Sequence, residues 1–247
     1  IKTMREAMAG NTVTRGLNAG TTGIDIWSGG GSAIGNTVSQ AGTGIRIYGG
    51  GVADNRIFGN SVAGISGLNA VVRNNVIYSN GTGIVLTTNG VDNLIINNLV
   101  YGNATGGIRT ATNSGSAALH LIENNTVYQQ GAAAITVSGS VQNTVMRNNI
   151  IWADGAAGTG ISVAADSLRN YAGNYNDVYL TGGAKFGQWQ GNSVNTWTDW
   201  TFATGADRNS RSLNPLFVDV DGADNLLGFT GGADRGADDN FLVQAAS

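Results

Sequence analysis

The chain has 247 residues, of which 39 are Gly, one is Pro and none is Cys. Charged residues make up 12%, about half the usual share, and 13 basic against 16 acidic side chains leave a net charge of −3. These values exclude disulfide or thiol chemistry and the basic footprint of a nucleic-acid binder, and no apolar stretch approaches the ~18 residues of a membrane span.

In chain order the sequence repeats one phrase: Asn, a variable residue, an aliphatic and an aromatic. Weak copies begin at Asn11 and Asn36. Strong copies are Asn55-Arg56-Ile57-Phe58, Asn75-Val76-Ile77-Tyr78, Asn98-Leu99-Val100-Tyr101, Asn125-Thr126-Val127-Tyr128 and Asn149-Ile150-Ile151-Trp152. Successive copies lie 25, 19, 20, 23, 27 and 24 residues apart. A second marker keeps step at Ile24, Ile45, Ile65, Ile84, Ile108, Ile135 and Ile161, each preceded by Gly or Ala. A fixed period of this length signals a solenoid.

Within a copy, short alternating bursts such as Val76-Ile77-Tyr78 and Ile84-Val85-Leu86 flank Gly and Asn, which reads as strand, turn and strand. Helical repeats are disfavoured because each Gly costs about 1 kcal/mol in a helix. The Leu frame of a leucine-rich repeat is missing. An all-β parallel β-helix is therefore expected, with coils about 4.8 Å apart. The repeated Asn is expected to take the left-handed corner and to stack along the axis as an amide ladder. Asn60, Asn80, Asn103, Gln130 and Asp154 form a second polar column of the same kind.

Parity assigns facing. If Ile57, Ile77, Val100, Val127 and Ile151 point inward, then Phe58, Tyr78, Tyr101, Tyr128 and Trp152 form an outward aromatic row. Such a row suits stacking on sugar rings or a contact with a sister subunit, although neighbouring rings also stabilise one another and a flanking loop could cover them. Coils are expected over 1–180. An irregular aromatic cap with an acidic loop is expected over 181–247, packed on the solenoid end, with Trp197, Trp200 and Phe217 as capping core. The start at Ile1 reads as a processed protein or a fragment.

Asn174-Tyr175-Asn176-Asp177-Val178-Tyr179, Trp197-Thr198-Asp199-Trp200, Ala203-Thr204-Gly205-Ala206-Asp207 and Pro215-Leu216-Phe217-Val218-Asp219, taken with the coils, carry a resemblance. The chain resembles right-handed parallel β-helix repeat proteins of the pectate-lyase-like superfamily, in particular large secreted or surface proteins of environmental bacteria. That resemblance implies an extracellular or cell-surface location. It does not supply an activity.

Enzymes of that superfamily use clustered acids with calcium and an Arg or Lys base, or two or three close Asp residues, or an Asp-Pro-His-Glu sequence. None of these patterns is present, and the sole His120 lies between Leu119 and Leu121. Glu123 and Arg147 share a coil phase, which suggests an exposed ion pair and, as a minor alternative, a catalytic one. Asp219, Asp221 and Asp224, followed by Asp234, Asp238 and Asp239, offer carboxylates for a structural calcium, without the full frame or closing Glu of an EF-hand. The expected function is a non-catalytic structural, adhesive or assembly module that engages a glycan or a protein subunit. The alternative is a polysaccharide lyase or glycoside hydrolase, with a cleft under the longer inserts at 111–120 and 153–158.

Overall fold

A computed structural model describes residues 2–3, 6–16, 18–27, 29–112 and 117–244. It is a right-handed parallel β-helix. An eight-stranded parallel sheet runs from Thr12–Thr14 through Arg56–Phe58, Val76–Tyr78 and Thr126–Gln130 to Asp177–Thr181, and forms the first face. The second and third faces belong to one 16-stranded sheet. They merge because Thr43–Ala53 and Ala63–Arg73 are 11-residue strands that continue around a corner.

Equivalent letters stack in register: Ile57 pairs with Ile77, Ile77 with Val100 and Val100 with Val127. Ile45, Ile65, Ile84, Ile108 and Ile135 form a second column. Nearly all are fully buried. Each buried aliphatic contributes roughly 1.5–3 kcal/mol. The Gly before Ile45, Ile65, Ile84 and Ile108 is required by close approach: a Cβ on Gly44 would lie 2.6 Å from the Gly64 carbonyl oxygen and 2.7 Å from Ile57.

The amide ladder is continuous from Asn11 to Asn176. Each Asn donates its Nδ2 to the Oδ1 of the next, at 3.0 Å from Asn11 to Asn36 and 2.9 Å from Asn149 to Asn176. The corner assignment, however, shifts by one residue. The left-handed backbone belongs to the preceding position, at Asp54, Asn74, Asn97, Asn124, Asn148 and Tyr175, with φ between 56° and 59°. That neighbour turns the chain, and the ladder Asn is thereby freed to point inward and bond.

The second column is shorter than expected. Asn60, Asn80 and Asn103 stack, but Gln130 and Asp154 do not continue the ladder. The strand Thr126–Gln130 is longer, so Gln129 is the buried residue and bonds the Asn103 carbonyl, while Gln130 turns to the Tyr128 hydroxyl.

The coils run past residue 180. Lys185–Trp189 pairs in parallel with Thr159–Val163 and then forms an antiparallel hairpin with Asn192–Val194 that ends the sheet. At Gly187, where earlier coils place Ile, Trp200 of the helix Trp197–Thr204 fills the core; a Cβ there would lie 2.4 Å from its ring. Asp207 closes the amide ladder. It accepts from Asn176 Nδ2 at 2.9 Å, Trp200 Nε1 at 2.9 Å and Ser210 Oγ at 2.6 Å. This helix and Asp207 cover the last coil, whereas Phe217, expected in the same cap, packs on Trp152 along the side of the rod. Beyond it, Arg211 pairs with Asp177 on the first-face edge, and the chain turns back along the rod.

Candidate functional site

The aromatic row lies outside the coil, as parity requires, yet it is covered. Phe58 and Tyr78 stack at 5.1 Å, Tyr78 and Tyr101 at 4.9 Å, and Tyr128 and Trp152 at 4.2 Å. Over them runs a strap formed by residues 213–244. Phe217 meets Trp152, Phe241 meets Tyr101 and Tyr128, and Phe229 meets Phe58. Tyr78 and Tyr101 are 0% exposed, Tyr128 is 5% and Phe58 is 6%. A bare stacking surface for sugars is thus not what the row presents while the strap is docked. The acidic part of the tail lies along the side of the solenoid instead of on its end.

Polar contacts fix the register of the strap. Asp234 accepts from Tyr78 Oη at 2.6 Å and from Arg56 Nε at 3.2 Å and Nη2 at 3.1 Å. The Arg56 guanidinium also sits 4.9 Å from the centre of the Tyr78 ring. Phe229 N donates to Ser79 Oγ at 2.9 Å. Gly236 permits the close approach, since a Cβ there would lie 2.6 Å from the Tyr101 hydroxyl. Burial pushes the Asp239 carboxyl above its usual range, and the Gly228 N–H, at 2.9 Å, offsets part of that rise. The Tyr101 hydroxyl lies beside Asp239 without reaching hydrogen-bond geometry.

Asp219, Asp221, Asp224, Asp238 and Asp239 do not gather around one centre. Asp238 accepts from Asp224 N at 3.3 Å, Asp239 from Gly228 N, and Asp224 faces Arg235 at 3.6 Å. Among the described residues no three such side chains converge as a metal site. The carboxylates of Asp224, Asp238 and Asp239 accept from backbone N–H groups of the strap.

Glu123 and Arg147 are register partners on adjacent coils, with Arg147 Nε 2.7 Å from Glu123 Oε1. Arg147 is half exposed, so the pair contributes under about 1 kcal/mol. Of the two inserts, 153–158 is a tight turn closed by Gly158 N to Gly155 O at 2.7 Å and forms no lid. Part of the other, 113–116, lies outside the described residues.

Sequence reasoning missed a second aromatic pair. Trp27 and Tyr48 each follow a marker Ile by three residues, and this shared phase was the available signal. Their rings stack at 4.9 Å on the outside of the second face, and Trp27 is 44% exposed. Beneath them Arg46 meets Asp25 through a fork, Nε to Oδ1 at 2.9 Å and Nη2 to Oδ2 at 2.5 Å. His120, by contrast, points into the core. Burial lowers its pKa to about 4, and neither ring nitrogen has a hydrogen-bond partner.

Among the described residues no helix is long and apolar enough to cross a membrane. No curated protein and no solved structure matches the chain. The family described as "right handed beta helix region" matches residues 22–178, from the strand that carries Ile24 to Val178, the last core Val of the first face. With its coils stacked in parallel register and more than half of its length matched, the chain belongs to the right-handed β-helix family.

Proposed function

We propose that this protein is an extracellular, non-catalytic structural module: a stiff rod that holds attached or neighbouring groups at fixed spacing. The observation that carries the reading is the strap. Residues 213–244 return along the rod and bind coils from Trp152 back to Phe58, joining windings that otherwise touch only their neighbours. The repeated side chains are spent on holding coils together: Asn in the ladder, aliphatics in the core, and aromatics under the strap. In this reading assembly with sister subunits involves exchange of straps between copies, because the aromatic row is complementary to that segment.

The test is incubation of the purified protein with acidic and neutral polysaccharides in the presence of calcium, followed by product analysis. Intact polymer is expected. The appearance of shortened or unsaturated oligosaccharides would replace this reading with the lyase or hydrolase alternative. Chromatography across a concentration series tests the exchange clause: larger species should form slowly, and a monomer at every concentration removes that clause.

A further inference from the structure

Four places in the chain join Asn or Asp to Gly: Asn80-Gly81, Asn89-Gly90, Asp154-Gly155 and Asp221-Gly222. At such a junction the Gly nitrogen can attack the side-chain carbonyl carbon before it, because Gly has no Cβ to block the approach. The fold treats the four differently. Gly81 N donates to Asn60 O at 2.8 Å, Gly155 N to Thr181 O at 3.1 Å and Gly222 N to Asp219 O at 3.4 Å. Gly90 N donates to no acceptor among the described residues. Asn89 and Gly90 are both exposed, in the bend between the strands Thr82–Thr88 and Asn93–Ile96, and a Cβ on Gly90 would meet nothing within 4 Å.

The same dipeptide is held shut inside the second ladder. Asn80 Nδ2 donates to Tyr78 O at 2.9 Å, Asn103 Oδ1 at 3.1 Å and Ile57 O at 3.2 Å, while Asn80 Oδ1 accepts from Asn60 N and Nδ2. Its amide cannot swing onto Gly81 N without breaking these bonds. We propose that Asn89-Gly90 is a site of spontaneous deamidation, a covalent modification that marks the age of the rod at this corner. Gly90 N forms a bond to Asn89 Cγ, its proton leaves with the departing Nδ2 as ammonia, and a succinimide ring closes. Water then opens the ring at either carbonyl. One opening leaves an ordinary aspartate; the other leaves isoaspartate, whose main chain runs through the side-chain carbon. No electron is gained or lost. The product carries one more negative charge near Asp92, whose Oδ1 accepts from Leu119 N at 2.9 Å. The flanks stay fixed, since Thr88 is fully buried and Asn93 Nδ2 holds Thr87 O at 2.9 Å, so the coil keeps its ladder.

The experiment is storage of the folded protein in mildly alkaline buffer made with heavy-oxygen water, followed by peptide mapping with mass spectrometry over time. Acid carrying the heavy oxygen should accumulate at position 89 at least about tenfold faster than at position 80, because Asn80 reacts only from locally opened coils. Chromatography of the peptide that contains position 89 should separate aspartate from isoaspartate and show both, the mark of a ring intermediate. In denaturant the ladder is gone, and the two Asn-Gly pairs should convert at similar rates. Asn89→Gln, which would have to close a larger ring, should leave this peptide unmodified and melt with the wild type. Equal rates at 80 and 89 in the folded protein, a difference that persists in denaturant, no conversion at 89, or aspartate without isoaspartate overturns the proposal.

Discussion

The coil and the strap are built on opposite principles. In the coil, each residue is held by its counterpart one winding away, so the same contact recurs from Asn11 to Asn176 and from Ile24 to Ile161. In the strap, contacts are unique: one Asp234 on Arg56 and Tyr78, one Phe241 between Tyr101 and Tyr128. Repetition makes the first region tolerant of errors in register only at whole windings. The second region depends on a few pairs, so it should release before the coil melts.

The strongest way to break that contrast is inside the ladder. Asn98 accepts from Asn75 N and Nδ2 and donates to Val72 O, Ile96 O and Asn125 Oδ1. Asn98→Leu orphans several buried groups at about 1–3 kcal/mol each, so unfolding in denaturant should lose at least about 3 kcal/mol. A loss below about 1 kcal/mol would mean that the ladder is ornamental to the rod.

Acid should separate the regions by sign. His120 is depressed from 6.5 to about 4 in the folded coil, so its contribution is complete above pH 6.5 and is lost as pH falls toward 4. The shift corresponds to roughly 3 kcal/mol at most. His120→Leu should flatten that slope, and an unchanged slope would place the acid sensitivity elsewhere. Asp239 behaves oppositely. Its folded pKa is raised from 3.8, so its contribution to strap docking is present at low pH and fades as pH rises through the folded value. Proteolysis within 213–244 should accordingly be slower in mild acid than at neutrality, and Asp239→Asn should remove the difference.

A smaller effect is expected at the strap's polar anchor. Tyr78→Phe deletes the 2.6 Å bond to Asp234 but leaves the ring stack. About 1 kcal/mol of docking should be lost, read as roughly fivefold faster hydrogen exchange in 229–241 with coil amides unaffected. Equal acceleration in both regions would show that strap and coil open together. Smallest of all, Glu123→Gln should cost under about 1 kcal/mol and vanish in high salt, as suits an exposed pair.

Much of this was legible in the repeats. A parallel coil places residue i over its counterpart in the next winding, so aligned letters become aligned side chains. The core columns, the amide ladder and the Glu123–Arg147 pair all followed from phase. The same logic failed where the phase changed. Lengthening of the strand at Gln129 moved the buried position by one residue, and the left-handed corner fell on the residue before the ladder Asn because that Asn was needed for bonding.

By itself, then, the sequence determined the coil, its core and the outward direction of the aromatic row, since these depend only on a period and the two-residue alternation of a strand. Only the tertiary structure decided that the row is covered by the strap while the Trp27–Tyr48 stack lies outside the strap cluster. The reason is the path of the tail. Nothing repeats in residues 213–244, so no periodicity could say which face they would follow. Contacts such as Asp234 with Arg56, 178 residues apart, settle that choice.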